Sequence, residues 1–315
     1  MSRDFDLVVA GELNPDLILS SPDLEPRFGQ VETLVEDASL TIGSSSAIFA
    51  CGAARLGMRV AFVGVIGRDV FGNYMLESLK GRGIDVSNVI IDDNQPTGLS
   101  IILNRLTDRA ILTYPGAIPA LKGEQVSDTL LSRTRHLHVA SYFLQTALQP
   151  GLPDLFRRAR RWGVSVSLDT NWDPAEQWRG IQELLPLIDV FLPNQAEALS
   201  ITHAPTLEQA ARDLATQVNV LAVKMGREGG LAYQNDRLAR ASAFSVEVVD
   251  TVGAGDSFDA GFIYGYLMGW DLERCLKLGV ACGSLSTRGR GGTEKQPTLA
   301  EAMQIPGMVL PIHSN

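Results

Sequence analysis

Short apolar runs alternate with amphipathic segments along most of the chain, and this alternation restricts the fold more than any other sequence feature. Nearly continuous apolar runs predict buried strands, at residues 5–10, 58–64, 137–140, 164–168, 190–192 and 220–223. Segments of helical period predict helices, at residues 47–56, 71–80, 151–162, 181–185 and 207–217. Strands that alternate with helices form a mostly parallel central sheet with helices on both faces. We therefore predict an α/β fold, and because no linker or repeat is visible, residues 1–315 are predicted to form a single domain.

Two segments interrupt this rhythm, at about residues 14–42 and 96–116. Polar and apolar residues alternate in them, as in strands with one face open to solvent or ligand. The pattern predicts strands at residues 17–19, 31–42, 97–104 and 110–114, the last two joined as a hairpin. We expect the two segments to form a small β-sheet beside the main one.

Composition and charge exclude several classes of protein. A net charge of −9 argues against nucleic-acid binding, which normally needs a basic face. The apolar runs are shorter than the roughly 20 residues of a spanning helix. The N-terminus lacks a secretion pattern. Three cysteines without a C-x-x-C pair predict no disulfide framework or zinc site, and we expect Cys275 and Cys282 to pack in the core. We expect a soluble cytoplasmic protein without nucleic-acid or membrane partners.

Familiar nucleotide and hydrolase motifs are missing from the sequence. It contains no Gly-Lys dipeptide and therefore no G-x-x-x-x-G-K-[ST] loop. Nor does it contain G-x-G-x-x-G after a predicted strand, H-E-x-x-H or G-x-S-x-G. His136 and His138 alternate on one predicted strand, but no third metal ligand is visible near them. A metal pair is therefore the weaker interpretation of these histidines.

The segment at residues 250–262, DTVGAGDSFDAGF, is the main candidate for a functional site. It follows a run at residues 245–249 that predicts a strand, and it precedes a helical pattern of small residues. Glycines at such a junction allow a tight turn and close approach of a ligand. The first amides of a helix lack intrahelical acceptors, and the helix dipole favours negative charge there. The segment therefore predicts an anion hole at Gly253, Ala254 and Gly255.

Asp256 lies within this predicted anion hole. A carboxylate there could accept a proton from a hydroxyl group that attacks phosphorus. Helix capping is the alternative, because aspartate is a favoured capping residue.

The same segment resembles the C-terminal signature of the ribokinase-like (PfkB) family of carbohydrate kinases. Gly43-Ser44, the AARLG string at residues 53–57 and the VGVIGRDVFG string at 63–72 are similar to the N-terminal signature of that family. The resemblance implies a ribokinase-like fold in which the small sheet is a lid over the substrate. It also implies ATP-dependent phosphorylation, with Mg²⁺, of a hydroxyl on a sugar or sugar-like molecule. A homodimer through the lid, with apolar residues 99–103 at its face, is implied as well.

The resemblance assigns roles to individual residues. For catalysis it implies Asp256 as the base, with Gly253, Ala254 and Gly255 around the phosphoryl group. For substrate it implies Asp16, Gly43, Ser44 and Asp256. For nucleotide and metal it implies Asn194, Glu197, Lys224, Gly226, Gly229 and Gly283, with Glu197 holding Mg²⁺ through water and Asp250 near a monovalent cation such as K⁺. Turn formation and helix capping are structural alternatives for several of these residues.

One position departs from the family pattern. Ile48 aligns where the family often has an asparagine that binds substrate hydroxyls. We therefore expect a substrate that is less hydroxylated at that point, partly apolar, or held by the serines, and ribose is disfavoured. Tyr114, Tyr142 and Phe143 are candidates for the pocket lining, although core packing explains them equally well. A nucleoside kinase of the same fold is the nearest alternative. A non-catalytic sugar or nucleotide sensor is the other, but such a protein has no need of a base at Asp256.

Overall fold

Strands and helices follow one another in the order expected of an α/β fold. A computed structural model describes residues 3–105 and 108–305 of the chain. The strands in these residues are Phe5–Ala10 (β1), Pro15–Ser20 (β2), Asp37–Ile42 (β3), Val60–Val63 (β4), Val65–Gly67 (β5), Ile90–Asp92 (β6), Leu99–Arg105 (β7), Asp108–Tyr114 (β8), Thr134–Val139 (β9), Ser165–Leu168 (β10), Val190–Phe191 (β11), Val220–Lys224 (β12), Gly230–Gln234 (β13) and Arg237–Ala241 (β14). The α-helices are Ser45–Arg55 (α1), Val70–Lys80 (α2), Asp128–Ser132 (α3), Leu152–Arg161 (α4), Ile181–Leu184 (α5), Gln195–Thr202 (α6), Leu207–Ala215 (α7), Ala254–Leu267 (α8), Leu272–Ser286 (α9) and Leu299–Met303 (α10).

The main sheet has eight strands in the order β14-β13-β12-β11-β10-β9-β1-β4. From β12 to β4 all neighbours are parallel, whereas β13 and β14 add an antiparallel hairpin at one edge. The carboxyl ends of the parallel strands therefore share one edge of the sheet, where open α/β sheets bind ligands. This confirms the predicted mostly parallel sheet.

Helices cover both faces of the main sheet because its strands bury side chains on both sides. On β1, Leu7 and Val9 join one hydrophobic cluster, whereas Val8 and Ala10 join another. The first cluster contains residues of α1, α8 and α9, and the second contains residues of α4, α6 and α7. Successive side chains of a strand point to opposite faces, so a strand covered on both faces must be apolar throughout.

A second sheet has four strands in the order β3-β2-β7-β8. All four lie within the segments 14–42 and 96–116, where a small sheet was expected. The central pair β2 and β7 is parallel, and the flanking pairs are antiparallel. Residues 106 and 107, part of the predicted hairpin turn, lie outside the described residues. A third, two-stranded sheet joins β5 and β6.

Two strand predictions were wrong. The strand predicted at residues 31–42 begins only at Asp37. The residues before it follow a left-handed turn at Gly29 and Gln30, with φ of 102° and 62°, and only the amide of Glu36 bonds to β2, at the carbonyl of Ser20 (3.1 Å). Residues 245–249 form no strand, and the amide of Val249 donates to the carbonyl of Thr287 at 2.8 Å instead. Alternating apolar residues cannot by themselves distinguish an extended loop from an edge strand.

The cysteines lie in the core. Cys51, Cys275 and Cys282 are unpaired and buried in one hydrophobic cluster, which confirms the packing predicted for the last two. Among the helices of the described chain, none has the length and apolar character needed to cross a membrane.

Candidate active site

A small cavity of about 250 Å³ opens beside the carboxyl ends of β1, β9 and β10, with the second sheet as its roof. The first turns of α1 and α8 form part of its wall. Its polar lining residues are Glu12, Asn14, Asp16, Ser44, Ser45, Ser100, Arg109, Thr113, Ser141, Asn171 and Asp256. The cavity thus combines convergent polar groups with a preformed concave shape, as small-molecule sites do.

Asp256 lies in the first turn of α8 and faces the small cavity, although its side chain is largely buried. The helix begins after Gly253, whose φ of 69° is the left-handed conformation that glycine adopts without strain. Burial raises the pKa of Asp256 well above its usual range, and Asp169 raises it further. Lys224 opposes this increase. The carboxyl group is therefore a stronger base than an exposed aspartate.

Asp16 enters the cavity from β2 of the second sheet. Burial raises its pKa to about 7, Glu12 adds to the increase, and a hydrogen bond from Ser100 opposes it. Gly43 lies directly behind this side chain, since a Cβ atom there would be 2.1 Å from Oδ1 of Asp16. Any larger residue at position 43 would therefore displace the Asp16 carboxyl group.

Ser44 and Ile48 lie at the start of α1, on the wall of the small cavity. The Ser44 hydroxyl accepts a hydrogen bond from the amide of Ala47 at 3.0 Å and donates to the carbonyl of Glu12 at 2.6 Å. Ser44 therefore caps the helix and lines the cavity at once. Ile48 is buried and presents an apolar surface. Tyr114, Tyr142 and Phe143 are not among the residues that line this cavity.

A hydrogen-bonded group at the cavity floor contains Glu12 and Ser141, which the sequence analysis did not identify. The buried Glu12 carboxylate accepts from the Ser46 hydroxyl at 2.5 Å and from the Ser141 hydroxyl at 2.8 Å. The Asn171 amide donates to Ser141 at 2.7 Å and to Ser45 at 2.5 Å. Because Asn171 Nδ2 can only donate, it leaves the Ser141 proton directed towards Glu12.

A large cavity of about 840 Å³ lies on the other side of the α8 N-terminus. It is lined by the predicted residues Lys224, Gly226, Gly229 and Gly283, and also by Ala254, Gly255, Phe244, Val246 and Phe258. At two of these glycines, a larger residue would crowd a backbone carbonyl oxygen. A Cβ atom on Gly229 would lie 2.0 Å from the carbonyl oxygen of Ala241, and one on Gly283 would lie 3.0 Å from that of Ala254.

Asn194 and Glu197 lie outside the lining of the large cavity, at the start of α6. They form a capping box: the Asn194 side chain accepts from the Glu197 amide at 2.9 Å, and the Glu197 carboxylate accepts from the Asn194 amide at 2.8 Å. Glu197 is nevertheless buried. Its burial, and after it the negative charge of Asp169, raises the pKa of Glu197 to about 7. Helix capping, the structural alternative for these two residues, is therefore observed at Asn194, whereas the Glu197 side chain is buried rather than solvated.

Lys224 ends β12 beneath the first turn of α8. Its ammonium lies 2.8 Å from Oδ2 of Asp169 and 3.0 Å from Oδ2 of Asp259, and both carboxyl groups are buried. Burial would lower the pKa of Lys224, but Asp169 and Asp259 hold it above its usual value. The described structure therefore pairs this lysine with carboxylates.

Asp250 precedes α8 and is half-buried. Its Oδ1 accepts from the amide of Val252 at 3.0 Å, and its Oδ2 accepts from the amide of Gly291 at 2.9 Å. These bonds tie the segment before α8 to the loop after α9. A role for Asp250 with a monovalent cation stays a prediction.

The two buried histidines of β9 are bound to serine hydroxyl groups. His136 contacts Ser165 and Ser167, each at 2.7 Å, and His138 contacts Ser167 at 2.7 Å. The His138 ring also stacks on Phe49 at 3.6 Å between ring centroids. These contacts explain both histidines by core packing.

Comparison with known proteins agrees with this architecture. The model of the pfkB family carbohydrate kinases matches residues 4–299. The chain is 31% identical over 229 residues to an uncharacterized sugar kinase of Archaeoglobus fulgidus, covering 72% of this chain and 91% of that protein. It is 29% identical over 323 residues to a 5-dehydro-2-deoxygluconokinase of Geobacillus thermodenitrificans, covering 96% and 93%.

A solved structure shows the same ribokinase fold. It is a putative ribokinase II of E. coli in complex with ATP and Mg²⁺, with a TM-score of 0.84 and 23% identity over 96% of this chain and 98% of that one. The family match spans nearly the whole chain, and the fold agrees with it. This chain is a member of the pfkB family of carbohydrate kinases.

Proposed function

We propose that the protein transfers the γ-phosphoryl group of ATP to a hydroxyl of a sugar or sugar-like acceptor, with Asp256 as general base. One observation carries the proposal: the first turn of α8 separates the two cavities. Gly253 and Asp256 line the small cavity, whereas Ala254 and Gly255 line the large one. An acceptor hydroxyl in the small cavity and a phosphoryl group in the large cavity would meet at this turn.

The chemistry follows from the groups at this turn. Asp256 would take the proton of the acceptor hydroxyl as its oxygen bonds to the γ-phosphorus. The bond from that phosphorus to the bridging oxygen of ATP breaks, and ADP leaves. The amides of Gly253, Ala254 and Gly255 would donate hydrogen bonds to the phosphoryl oxygens, with the dipole of α8 behind them. The Ala254 amide, which donates to the Thr251 carbonyl at 3.3 Å, would exchange that bond for the phosphoryl group. Phosphoryl transfer depends mainly on such positioning and charge stabilisation.

The residues that line the large cavity fit a nucleotide, and Glu197, outside that lining, is the residue that we assign to Mg²⁺. We assign the nucleotide to the wall that contains Lys224, Gly226, Gly229 and Gly283. The buried Glu197 carboxylate is the type of oxygen ligand that Mg²⁺ prefers, either directly or through its water shell. Glu197 would thus hold Mg²⁺ through water, with Asn194 fixing the carboxylate. When bound, Mg²⁺ would neutralise charge on the phosphate oxygens. A monovalent cation such as K⁺ is assigned to the Asp250 segment.

The small cavity supports a sugar-like acceptor. Asp16 and Ser44 would bind acceptor hydroxyls, and Gly43 would allow Asp16 its position. The apolar Ile48 on the same wall favours an acceptor with fewer hydroxyl groups than ribose. A relative named 5-dehydro-2-deoxygluconokinase, whose name describes a deoxygenated sugar acid, agrees with this class.

We further propose that the chain is one domain whose second sheet, within residues 14–42 and 96–116, closes over the acceptor and excludes water. On β8, Ile111 lines the small cavity, whereas the next residue, Leu112, is 58% exposed. Leu112 and the exposed Tyr114 would form a homodimer contact together with residues 99–103. Sedimentation of the wild type and of Leu112→Glu tests this contact: a dimer that becomes a monomer supports it, and an unchanged state refutes it.

The function is tested by ADP release from Mg-ATP against a panel of sugars, sugar acids, sugar phosphates and nucleosides. We expect strong turnover with one class of sugar or sugar acid. Turnover with nucleosides alone would replace the sugar assignment by a nucleoside kinase. ATP binding without turnover on any acceptor, measured by calorimetry, would favour a non-catalytic sensor. Absence of ATP binding would contradict the proposal altogether.

A further inference from the structure

We propose that Lys224 is a positioning residue whose ammonium, fixed by Asp169 and Asp259 beneath the first turn of α8, sets the charge state of Asp256. This inference deepens the proposed function and rests on the role of Asp256 as base. It differs from direct phosphate binding by Lys224, because the lysine charge acts on Asp256, although the Lys224 side chain lines the large cavity.

The contacts of Lys224 carry this inference. Its side chain is only 11% exposed, and both carboxyl groups that bind its ammonium are 1% exposed. The two partners come from different elements: Asp169 follows β10, and Asp259 lies one turn after Asp256 on α8. Two buried carboxyl groups thus hold the ammonium from two directions and accept two of its three donors.

The lysine stem also lies next to the proposed anion hole. A Cβ atom built on Gly255 would lie 3.5 Å from Cδ of Lys224 and 3.8 Å from its Nζ. These are ordinary van der Waals separations, so the Lys224 side chain passes directly beneath Gly255. The lysine stem therefore runs close to the first turn of α8, which contains Asp256.

Asp256 lies close to the ion pairs of Lys224 with Asp169 and Asp259. Asp169, Asp256 and Asp259 each offer a carboxylate oxygen within 4.8 Å of the others. Charges so close in a buried site interact far more strongly than in water. Without the ammonium, three carboxyl groups would share this space, and Asp256 would retain its proton to a higher pH.

Other charged groups also face Asp256 and must be held constant. Glu12 follows β1, Asp16 and Arg109 belong to the second sheet, and all three line the small cavity with Asp256. Burial, Asp169 and Glu12 raise the pKa of Asp256, whereas Lys224 lowers it. Asp169 and Lys224 therefore act on Asp256 with opposite sign, and removing both should leave the net charge unchanged.

The test is the pH profile of kcat/KM for the acceptor at saturating Mg-ATP. In Lys224→Met the acid limb should move up by about one pH unit or more, which lowers kcat/KM about tenfold below that limb. In Asp169→Asn it should move down. The double variant should return close to the wild-type limb. Lys80→Met, which removes an exposed lysine of α2, is the control for loss of a positive charge.

The outcomes separate the possible roles of Lys224. If the acid limb of Lys224→Met stays at the wild-type pH while the KM for ATP rises, the inference is overturned and Lys224 is a phosphate ligand. A uniform loss at every pH, without rescue in the double variant, would reduce Lys224 to a structural residue. If Lys224→Met does not fold, the acid limb of Asp169→Asn decides the question. A downward shift of this limb supports the inference, and an unmoved limb contradicts it.

A measurement without turnover keeps the inference independent of the proposed function. Carboxyl ¹³C NMR follows the aspartates during a pH titration, and the signal that disappears in Asp256→Asn identifies Asp256. Its pKa should be higher in Lys224→Met than in the wild type. An equal pKa would contradict the inference even in an active kinase. An inactive wild-type protein would refute only the kinase proposal.

Discussion

The backbones of Gly253 and Gly292 are in close contact. A Cβ atom added to Gly253 would lie 2.5 Å from Cα of Gly292 and 2.8 Å from Cγ2 of Ile48. Gly253 is therefore held between the loop after α9 and the first helix, and it fixes the direction in which α8 begins. The proposed anion hole and the proposed base Asp256 both lie in the turn that follows this contact.

Gly253→Ala should destabilise the protein and nearly abolish turnover. The left-handed φ of 69° alone costs an alanine about 1–2 kcal/mol, and the steric overlap adds to it. Displacement of the α8 N-terminus should lower kcat by about 10²-fold or more. Gly269→Ala is the matched control, because Gly269 has a φ of 70° but open space around its Cβ position. Thermal unfolding and ADP release check both variants, and equal losses in the two would contradict the steric account.

Glu197→Gln should raise the Mg²⁺ concentration needed for half-maximal activity by roughly 10-fold, the lower end of the effect of residues that orient metal ligands. Glutamine can keep the bond from the Asn194 backbone amide, but the bond from Asn194 Nδ2 to the second Glu197 oxygen is lost together with the charge. Glu301→Gln is the control, since Glu301 forms the same capping box with Thr298 on the exposed helix α10. A Mg²⁺ titration of ADP release is the measurement. The same Mg²⁺ requirement in both variants would remove Glu197 from the metal site.

Asp16→Asn should stabilise the free protein at alkaline pH while weakening acceptor binding. The pKa of Asp16 is raised from 3.8 to about 7 in the folded state, so the folded protein holds a proton that the unfolded chain releases. The free energy of unfolding therefore falls as pH rises from about 3.8 to 7, by at most about 1.4 kcal/mol for each pH unit. Asparagine resembles the protonated acid and removes this loss.

Urea unfolding of wild type and Asp16→Asn at pH 3.5 and pH 8 measures the difference, which should be present at the higher pH and vanish at the lower. Asp23→Asn, in the exposed loop after β2, serves as control. The KM for the acceptor should rise in Asp16→Asn. A KM equal to that of the wild type would place acceptor binding elsewhere.

Local patterns predicted the fold well where one segment contains the whole signal. Strand β1 agrees with the prediction at residues 5–10, because burial on both faces leaves a continuous apolar run. The string at residues 250–262 also predicted the start of α8, because the whole signal lies within that one segment. The hairpin of β13 and β14 was missed although Asn235, with a φ of 53°, and Asp236 form a typical two-residue turn.

The rest of the site depends on contacts between distant segments. Ser141 bonds to Glu12 across 129 residues, and no local pattern marks either residue. Lys224 was placed near the nucleotide from its turn, but its carboxylate partners lie 55 and 35 residues away in sequence. Such partners can be identified only once the topology brings the strand ends together.

The most direct measurement of the central claim is the kcat of Asp256→Asn with Mg-ATP and the best acceptor. Asparagine keeps the shape of the side chain but cannot accept the proton, so kcat should fall by about 10²- to 10⁴-fold. ATP affinity by calorimetry and the thermal unfolding temperature should remain close to wild type, which shows that the fold and the nucleotide site survive. Turnover retained at the wild-type rate in this folded variant would contradict the assignment of Asp256 as the base.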